Sequence, residues 1–255
     1  MARTKKHAAS KYLFKIFIWL LIICIAVYYA VNFFITPANV FYPGFQIAMP
    51  PGYKIHGIDV SRYQRTVNWK EVKDMKDGDV KIGFAFIKAT EGVGSVDDQF
   101  RRNWLKAEEQ NICKGAYHFF IAGKSGKKQA GNFIEIVNLK KGDLPPVLDI
   151  EQTYGITATE LKNEVREWLL IIEKQYRIKP VIYTNIDFYK NYLQPDFDDY
   201  PIWIAHYLQP EKPGIERRWS FWQHNESGRV NGIKMPVDFD VFSGDSLDFN
   251  NFLIK

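Results

Sequence analysis

PPVLDIEQ, residues 145–152, decides how this chain is read. Two prolines lead into an apolar run that ends in Asp149 and Glu151, with Ile150 between them. So apolar a run reads as a strand covered on both faces. Side chains two apart on a strand point the same way, with Cα atoms about 6.5 Å apart. The two acids therefore share a face at the end of a buried strand. Carboxylates held that close do not ionise independently, and one of them tends to keep its proton at neutral pH.

Seven further runs of strand length surround this one, at 55–60, 80–88, 114–120, 179–184, 201–206, 219–223 and 233–238. Helical periods separate the early runs. The clearest covers 158–176, where Leu161, Val165, Trp168, Leu169, Ile172 and Tyr176 form one stripe behind a capping box of Thr157 and Glu160. Others are expected at 69–76, 97–110, around Ala130–Val137 and at 186–192. Strands alternating with helices imply parallel pairing, and eight such strands imply closure. The fold class expected is α/β, a modified TIM-type barrel of eight strands with about five helices, preceded by one transmembrane helix. The last three strands are joined by loops. An open doubly wound sheet is the alternative, but ATEGVGS (89–95) lacks the GxGxxG of a phosphate loop.

In such a barrel, chemistry gathers at the C-terminal strand ends. Those ends carry Asp59, Glu91, Tyr117, Asp149, Glu151, Tyr183, Tyr207, Gln223, Asp238 and Asp240, mostly acids and aromatics. A neutral carboxyl beside an ionised one is the pairing used to cleave glycosidic bonds. The plainer reading is that the acids only pair with bases, Lys88 being the main structural counter-ion. His118, His206 and His224 have neither HxH nor HExxH spacing, so no metal and no cofactor is expected. There is no GxSxG elbow for a serine nucleophile either.

The charge balance is local. Lys and Arg total 34 and acids 29, but Arg3, Lys5, Lys6, Lys11 and Lys15 precede any acid, the first being Asp59. The remainder is formally neutral, which excludes a broad nucleic-acid surface. Residues 16–35, IFIWLLIICIAVYYAVNFFI, span about 30 Å as a helix and match a bilayer core. Residues 1–15 are expected to be a cytoplasmic tail, 16–35 an anchor, 36–54 a tether with four prolines and two glycines, and 55–255 the exported domain. A cleaved signal peptide is the rival reading, but the apolar run is long for one. Two isolated cysteines give no disulfide framework.

The motifs HGIDVSRYQRTVNW, FAFIKATEG, DDQFRRNWLKAEEQNICKGAYHFF, PPVLDIEQ, IWIAHY, SFWQ and VDFDVFSG follow one another between residues 56 and 244. In that order they resemble glycoside hydrolase family 25, the Chalaropsis-type lysozymes, over about residues 55–245. The resemblance implies a barrel and hydrolysis of the β-1,4 bond between N-acetylmuramic acid and N-acetylglucosamine in peptidoglycan. It implies Glu151 as general acid/base, Asp149 as its partner, Asp59 and Asp238 as flanking acids, and Glu91 in support. Asp240 stands where relatives often carry Asn and is expected to add negative charge at the rim. Arg65 replaces a glycine frequent after Gln64. Tyr63, Tyr117, Trp203 and Tyr207 are candidates for packing against sugar faces, or for the core. The partners expected are glycan strands and the membrane, with the chain monomeric. Two other functions stay open: a wall-binding module without catalysis, and a deacetylase or chitin-directed hydrolase on a similar barrel.

Overall fold

The structure, a computed structural model, describes residues 14–29 and 39–255. The chain divides between Ala38 and Asn39 into two units. In the first, residues 14–29 form helix α1, with every side chain exposed. Among the described residues no helix is long and apolar enough to cross a membrane. Residues 30–35 of the expected span, and residues 1–13 of the basic tail, lie outside the described residues.

The second unit begins with a hairpin, β1 (Val40–Tyr42) and β2 (Ile47–Met49). Then come β3 (His56–Val60), α2 (Trp69–Asp74), β4 (Lys76–Asp77), β5 (Val80–Glu91), β6 (Ser95–Val96) and α3 (Phe100–Glu109). Next are β7 (Cys113–Phe119), α4 (Gly126–Ile136), β8 (Val147–Asp149), α5 (Ala158–Tyr176), β9 (Val181–Asn185) and α6 (Ile186–Phe188). The chain ends with β10 (Ile202–Ala205), β11 (Phe221–Gly228), β12 (Val237–Phe242) and α7 (Ser246–Phe252).

Eight strands close in the order β3-β5-β7-β8-β9-β10-β11-β12, with β12 returning to β3. The capping box of Thr157 and Glu160 opens α5 as its spacing predicts. The expectation of eight parallel strands needs correction. From β3 round to β11 the pairs are parallel, but β12 is antiparallel to both of its neighbours. The cause is the link from β11 to β12, residues 229–236, which contains no helix and is too short to cross over. The strand itself starts at Val237, four residues later than the apolar run at 233–238 suggests.

Alternate side chains divide the barrel. Outward residues such as Ile58, Leu148, Ile182, Ile204 and Val241 join one core with Trp69, Phe133 and Trp168 of the helices. Inward residues form a second core of Phe84, Phe86, Trp203, Phe221 and Phe242. Phe86 stacks on Trp203 with ring centroids 4.4 Å apart. Helix α7, which the sequence reading lacks, plugs the lower end. Its Phe249 lies 5.1 Å from Phe242 and its Phe252 lies 5.4 Å from Phe221. Gly57 and Gly115 make room for this stack: a Cβ on Gly115 would lie 2.6 Å from the Phe86 ring, and one on Gly57 would overlap Phe84.

The stretch 36–54, read as a tether, is folded in its described part. Phe45, Ile47 and Met49 are buried, and Phe45 packs 5.3 Å from Phe239 on the outer face of β12. The Phe45 carbonyl accepts from Arg229 N at 2.8 Å. The prolines flank three apolar residues at alternate positions, and burial of these three holds the stretch to the barrel. The body of the domain thus starts at Asn39 rather than 55.

Replacing Gly57 by Ala forces its methyl group into Phe84. The expected loss is about 1–3 kcal/mol of unfolding free energy, read as a lower midpoint in chemical denaturation.

Candidate active site

The top inward layer is polar. Asp59 is the last residue but one of β3, Tyr117 lies near the end of β7, Asp149 ends β8, and Tyr183 stands on β9. The reversal of β12 brings its first residues to the same end, and Asp238 faces Asp59 in the ladder. Asp240 sits two residues further down, opposite Gly57 and Gln223. The expectation that Asp240 charges the rim is therefore wrong. It is fully buried, and its Oδ1 accepts from Trp203 Nε1 at 2.8 Å.

Asp59, Tyr117, Asp149, Tyr183 and Asp238 line a cavity of about 330 Å³ with Lys88, Phe119, Glu151, Trp203, Tyr207, Gln223 and Glu226. Gln223 organises one wall. Its Oε1 accepts from Tyr183 OH at 2.8 Å and from Tyr207 OH at 2.7 Å, and its Nε2 donates to Asp59 Oδ2 at 2.7 Å. Both functions of the amide are thereby used, which fixes its orientation. Burial, then the nearby acids, push both tyrosine hydroxyls up, so they stay protonated as donors.

The carboxyls are held out of water. Burial pushes Asp149 well above the ordinary range; the charge of Glu151 adds to this, while Lys88 works against it. Glu151 is also raised by burial, opposed by its hydrogen bond with Asp149 and by Lys88. A hydrogen bond between two carboxyls requires a proton on one, so the pair holds one proton between them. Asp149, the more deeply buried, is its resting seat, and Asp149 Oδ1 has no protein partner. Burial raises Asp59 well above the usual range, with Asp240 reinforcing and Gln223 opposing. Asp238 is pushed up to about 9 by burial and by Asp59 and Glu226.

An acid pair of this kind at the end of a closed barrel fits glycosidic-bond chemistry. The sequence model of Glycosyl hydrolases family 25 matches residues 58–233. The chain is a family 25 glycoside hydrolase. The uncharacterized protein YegX of Escherichia coli K12 is 44% identical over 200 residues, covering 78% of this chain and 74% of that protein. Lysozyme M1 of Streptomyces globisporus is 34% identical, covering 74% of this chain and 68% of its own. Among solved structures, a family 25 glycosyl hydrolase from Bacillus anthracis superposes with a TM-score of 0.74. It is 31% identical and covers 85% of this chain and 97% of its own.

Within this hydrolase the structure gathers Asp59, Asp149, Glu151, Asp238, Tyr117, Trp203 and Tyr207 around one cavity. It does not bring Glu91 or Tyr63 into that lining. Glu91 pairs with Lys88 Nζ at 2.7 Å, which leaves Lys88, not Glu91, as the wall residue. Tyr63 lies on the turn after β3, 60% exposed. Glu226 is a wall residue that the sequence reading missed. The strand there runs on past Gln223 with irregular register against β12, and those bulges turn Glu226 toward the mouth. His118 and His224 point into the outer core, where burial pulls each down to about 3 and keeps it neutral. His118 stacks on Trp168 and bonds Thr90 at 2.7 Å. Among the described residues no group of three or more His, Cys, Asp or Glu is placed to hold a metal ion.

Raised carboxyls make the folded state bind protons that the unfolded chain releases. Their contribution to stability is therefore lost as pH rises from about 4, the unfolded value, toward the folded ones. Asp240, raised well above its ordinary value by burial, belongs to this set. Asp240→Asn keeps the acceptor for Trp203 and removes the titration. Its melting temperature should exceed that of the parent more at pH 8 than at pH 5, in parallel thermal scans.

Proposed function

We propose that this hydrolase is a membrane-anchored lysozyme that cleaves the bond between N-acetylmuramic acid and N-acetylglucosamine in peptidoglycan. The observation that carries the reading is that Asp149 and Glu151 line one cavity with Asp59 and Asp238. Aromatic and tyrosyl walls suit a sugar, with a ring face to pack and hydroxyl groups to bond. Lysozyme M1 and an autolytic lysozyme of Clostridium acetobutylicum, 30% identical, support the same substrate class. A bare wall-binding module would not need four acids in one buried cavity, where each costs desolvation.

Glu151 is the general acid/base. A sugar entering the cavity displaces water from Glu151 and raises it further, so the shared proton moves across the hydrogen bond from Asp149. Glu151 then gives that proton to the leaving oxygen as the C1–O bond breaks. The acetamido oxygen of the same sugar attacks C1, and the Asp149 carboxylate accepts from the acetamido N–H and steadies the positive charge of the ring formed. In the second half, Glu151 takes a proton from water, whose oxygen attacks C1 and reopens the acetamido group. The configuration at C1 is retained. This is the substrate-assisted exception to the two-carboxylate scheme. Direct attack by an aspartate would instead leave a glycosyl ester, which trapping and mass analysis would reveal. Asp59, fixed by Gln223, and Asp238 flank the reaction and offer their oxygens to the sugar hydroxyl groups. The enzyme acts as a monomer and needs no cofactor.

Residues 16–35 anchor the protein, with the basic tail in the cytoplasm and the barrel on the other side. The tether then confines cleavage to nearby glycan, which favours remodelling of the cell's own wall. In fractionated cells the intact chain should sediment with membranes; a predominant soluble form lacking residues 1–38 would overturn the anchor.

Glu151→Gln keeps the shape and removes the proton donor. Release of muropeptides from purified peptidoglycan should fall by about 10²- to 10⁴-fold, with the thermal midpoint preserved. Near-normal release from a folded Glu151→Gln protein would refute the assignment.

A further inference from the structure

A second hollow, of about 570 Å³, is lined by Gln64, Arg65, Asn68, Ile233, Lys234 and Met235. It is built by the loop leaving β3, residues 61–68, and the loop entering β12, residues 229–236. These two strands carry Asp59 and Asp238 opposite each other, so both loops leave the barrel at the end where those acids lie. The loops are tied together. Gln64 Nε2 donates to Pro236 O at 3.0 Å, and Asn68 N donates to Gly232 O at 2.9 Å. The floor is apolar, from Ile233 and Met235.

The rim is cationic. Arg65 and Lys234 are exposed, and neither has an acidic partner among the described residues. Glu71, the one acid in the lining, is already engaged by Asn68 Nδ2 at 2.6 Å. Arg65 also sits at φ 56° and ψ −133°, a conformation that glycine adopts freely and arginine adopts at a cost. A strained, unpaired arginine over a preformed hollow is the reverse of what stability alone would select.

We propose that this groove binds the anionic stem peptide carried by the glycan strand, with Arg65 and Lys234 taking its carboxylates. The inference rests on peptidoglycan being the substrate. Stem peptides branch from the muramic acid lactyl group and carry free carboxylates. The catalytic mouth offers such a peptide no free partner, because its single cation, Lys88, is already paired with Glu91. A neutral glycan suits that mouth, and the cations on the loops at the same end of the barrel give the charged branch a place to lie. The apolar floor accepts its alanyl methyl groups.

The test uses two substrates: intact peptidoglycan, and the same strands after an amidase has removed the peptides. Arg65→Gly combined with Lys234→Ala should lower kcat/KM on the intact polymer by about 5- to 30-fold, and leave the stripped strands unchanged. The difference should shrink as salt is raised. Arg65→Gly alone should raise the thermal midpoint while lowering cleavage of the intact polymer, which a purely structural role would not do. Equal losses on both substrates, or no loss on either, would overturn the proposal. A soluble stem tetrapeptide titrated onto the full chain should shift the amide resonances of Arg65 and Ile233, and the double variant should abolish those shifts. Absence of any shift in the parent would also overturn it. If the parent cleaves neither substrate, the substrate assignment fails, and the titration still decides the groove.

Discussion

The structure depends on one constraint: several carboxyl groups are kept inside a closed barrel with a single cation near them. Asp59, Asp149 and Asp240 are nearly or fully buried, and Asp238 is half-buried. Four ionised carboxylates there would repel one another in a medium that solvates them poorly. Protonation relieves this, as the upward shifts of all four record. Lys88 is positioned so that it does not neutralise the set. Its ammonium pairs with Glu91 at 2.7 Å and lies over Phe119 at 4.6 Å, off to one side. It lowers Asp149 and Glu151 without abolishing their shared proton.

Holding that proton ready requires rigid walls, and the rest of the fold supplies them. Below the acids, the interdigitated rings of Phe84, Phe86, Trp203, Phe221 and Phe242 leave no route for the polar layer to sink. Beside them, Gln223 links three strands through Tyr183, Tyr207 and Asp59, so one side chain sets the spacing of a wall. Antiparallel β12 completes the mouth. In a parallel eighth strand Asp238 would enter at the opposite end, buried beneath the aromatic stack.

What could be read beforehand follows from which interactions are local. The eight apolar runs, the stripe and capping box of α5, and the shared face of Asp149 and Glu151 all follow from periods within one segment. The direction of β12 does not, because it depends on a loop having no helix rather than on any motif. Asp240 was misplaced for the same reason: on a reversed strand, two residues onward means deeper, not outward. Glu226 was hidden by bulges that only a ladder reveals. The hairpin did have a signal, the alternation of Phe45, Ile47 and Met49, but prolines and glycines on both sides spoke for a linker. Helix α7 begins with an Asp245 cap and a box partner at Asp248, a signature readable from spacing yet brief enough to pass for a loop.

The distribution of charge over the domain follows from its acids. A buried acidic mouth can accept a neutral sugar, whose hydroxyl groups satisfy the oxygens without adding like charge. It has little to offer an anion, because its one cation, Lys88, is already paired with Glu91. A charged branch on the polymer is then better placed outside the mouth, and the loops at the Asp59–Asp238 end of the barrel carry Arg65 and Lys234 over their own hollow. The strained backbone at Arg65 then has a physical rationale. Glycine at that position would leave the loop relaxed and the hollow without one of its two cations, whereas arginine accepts local strain to keep positive charge there.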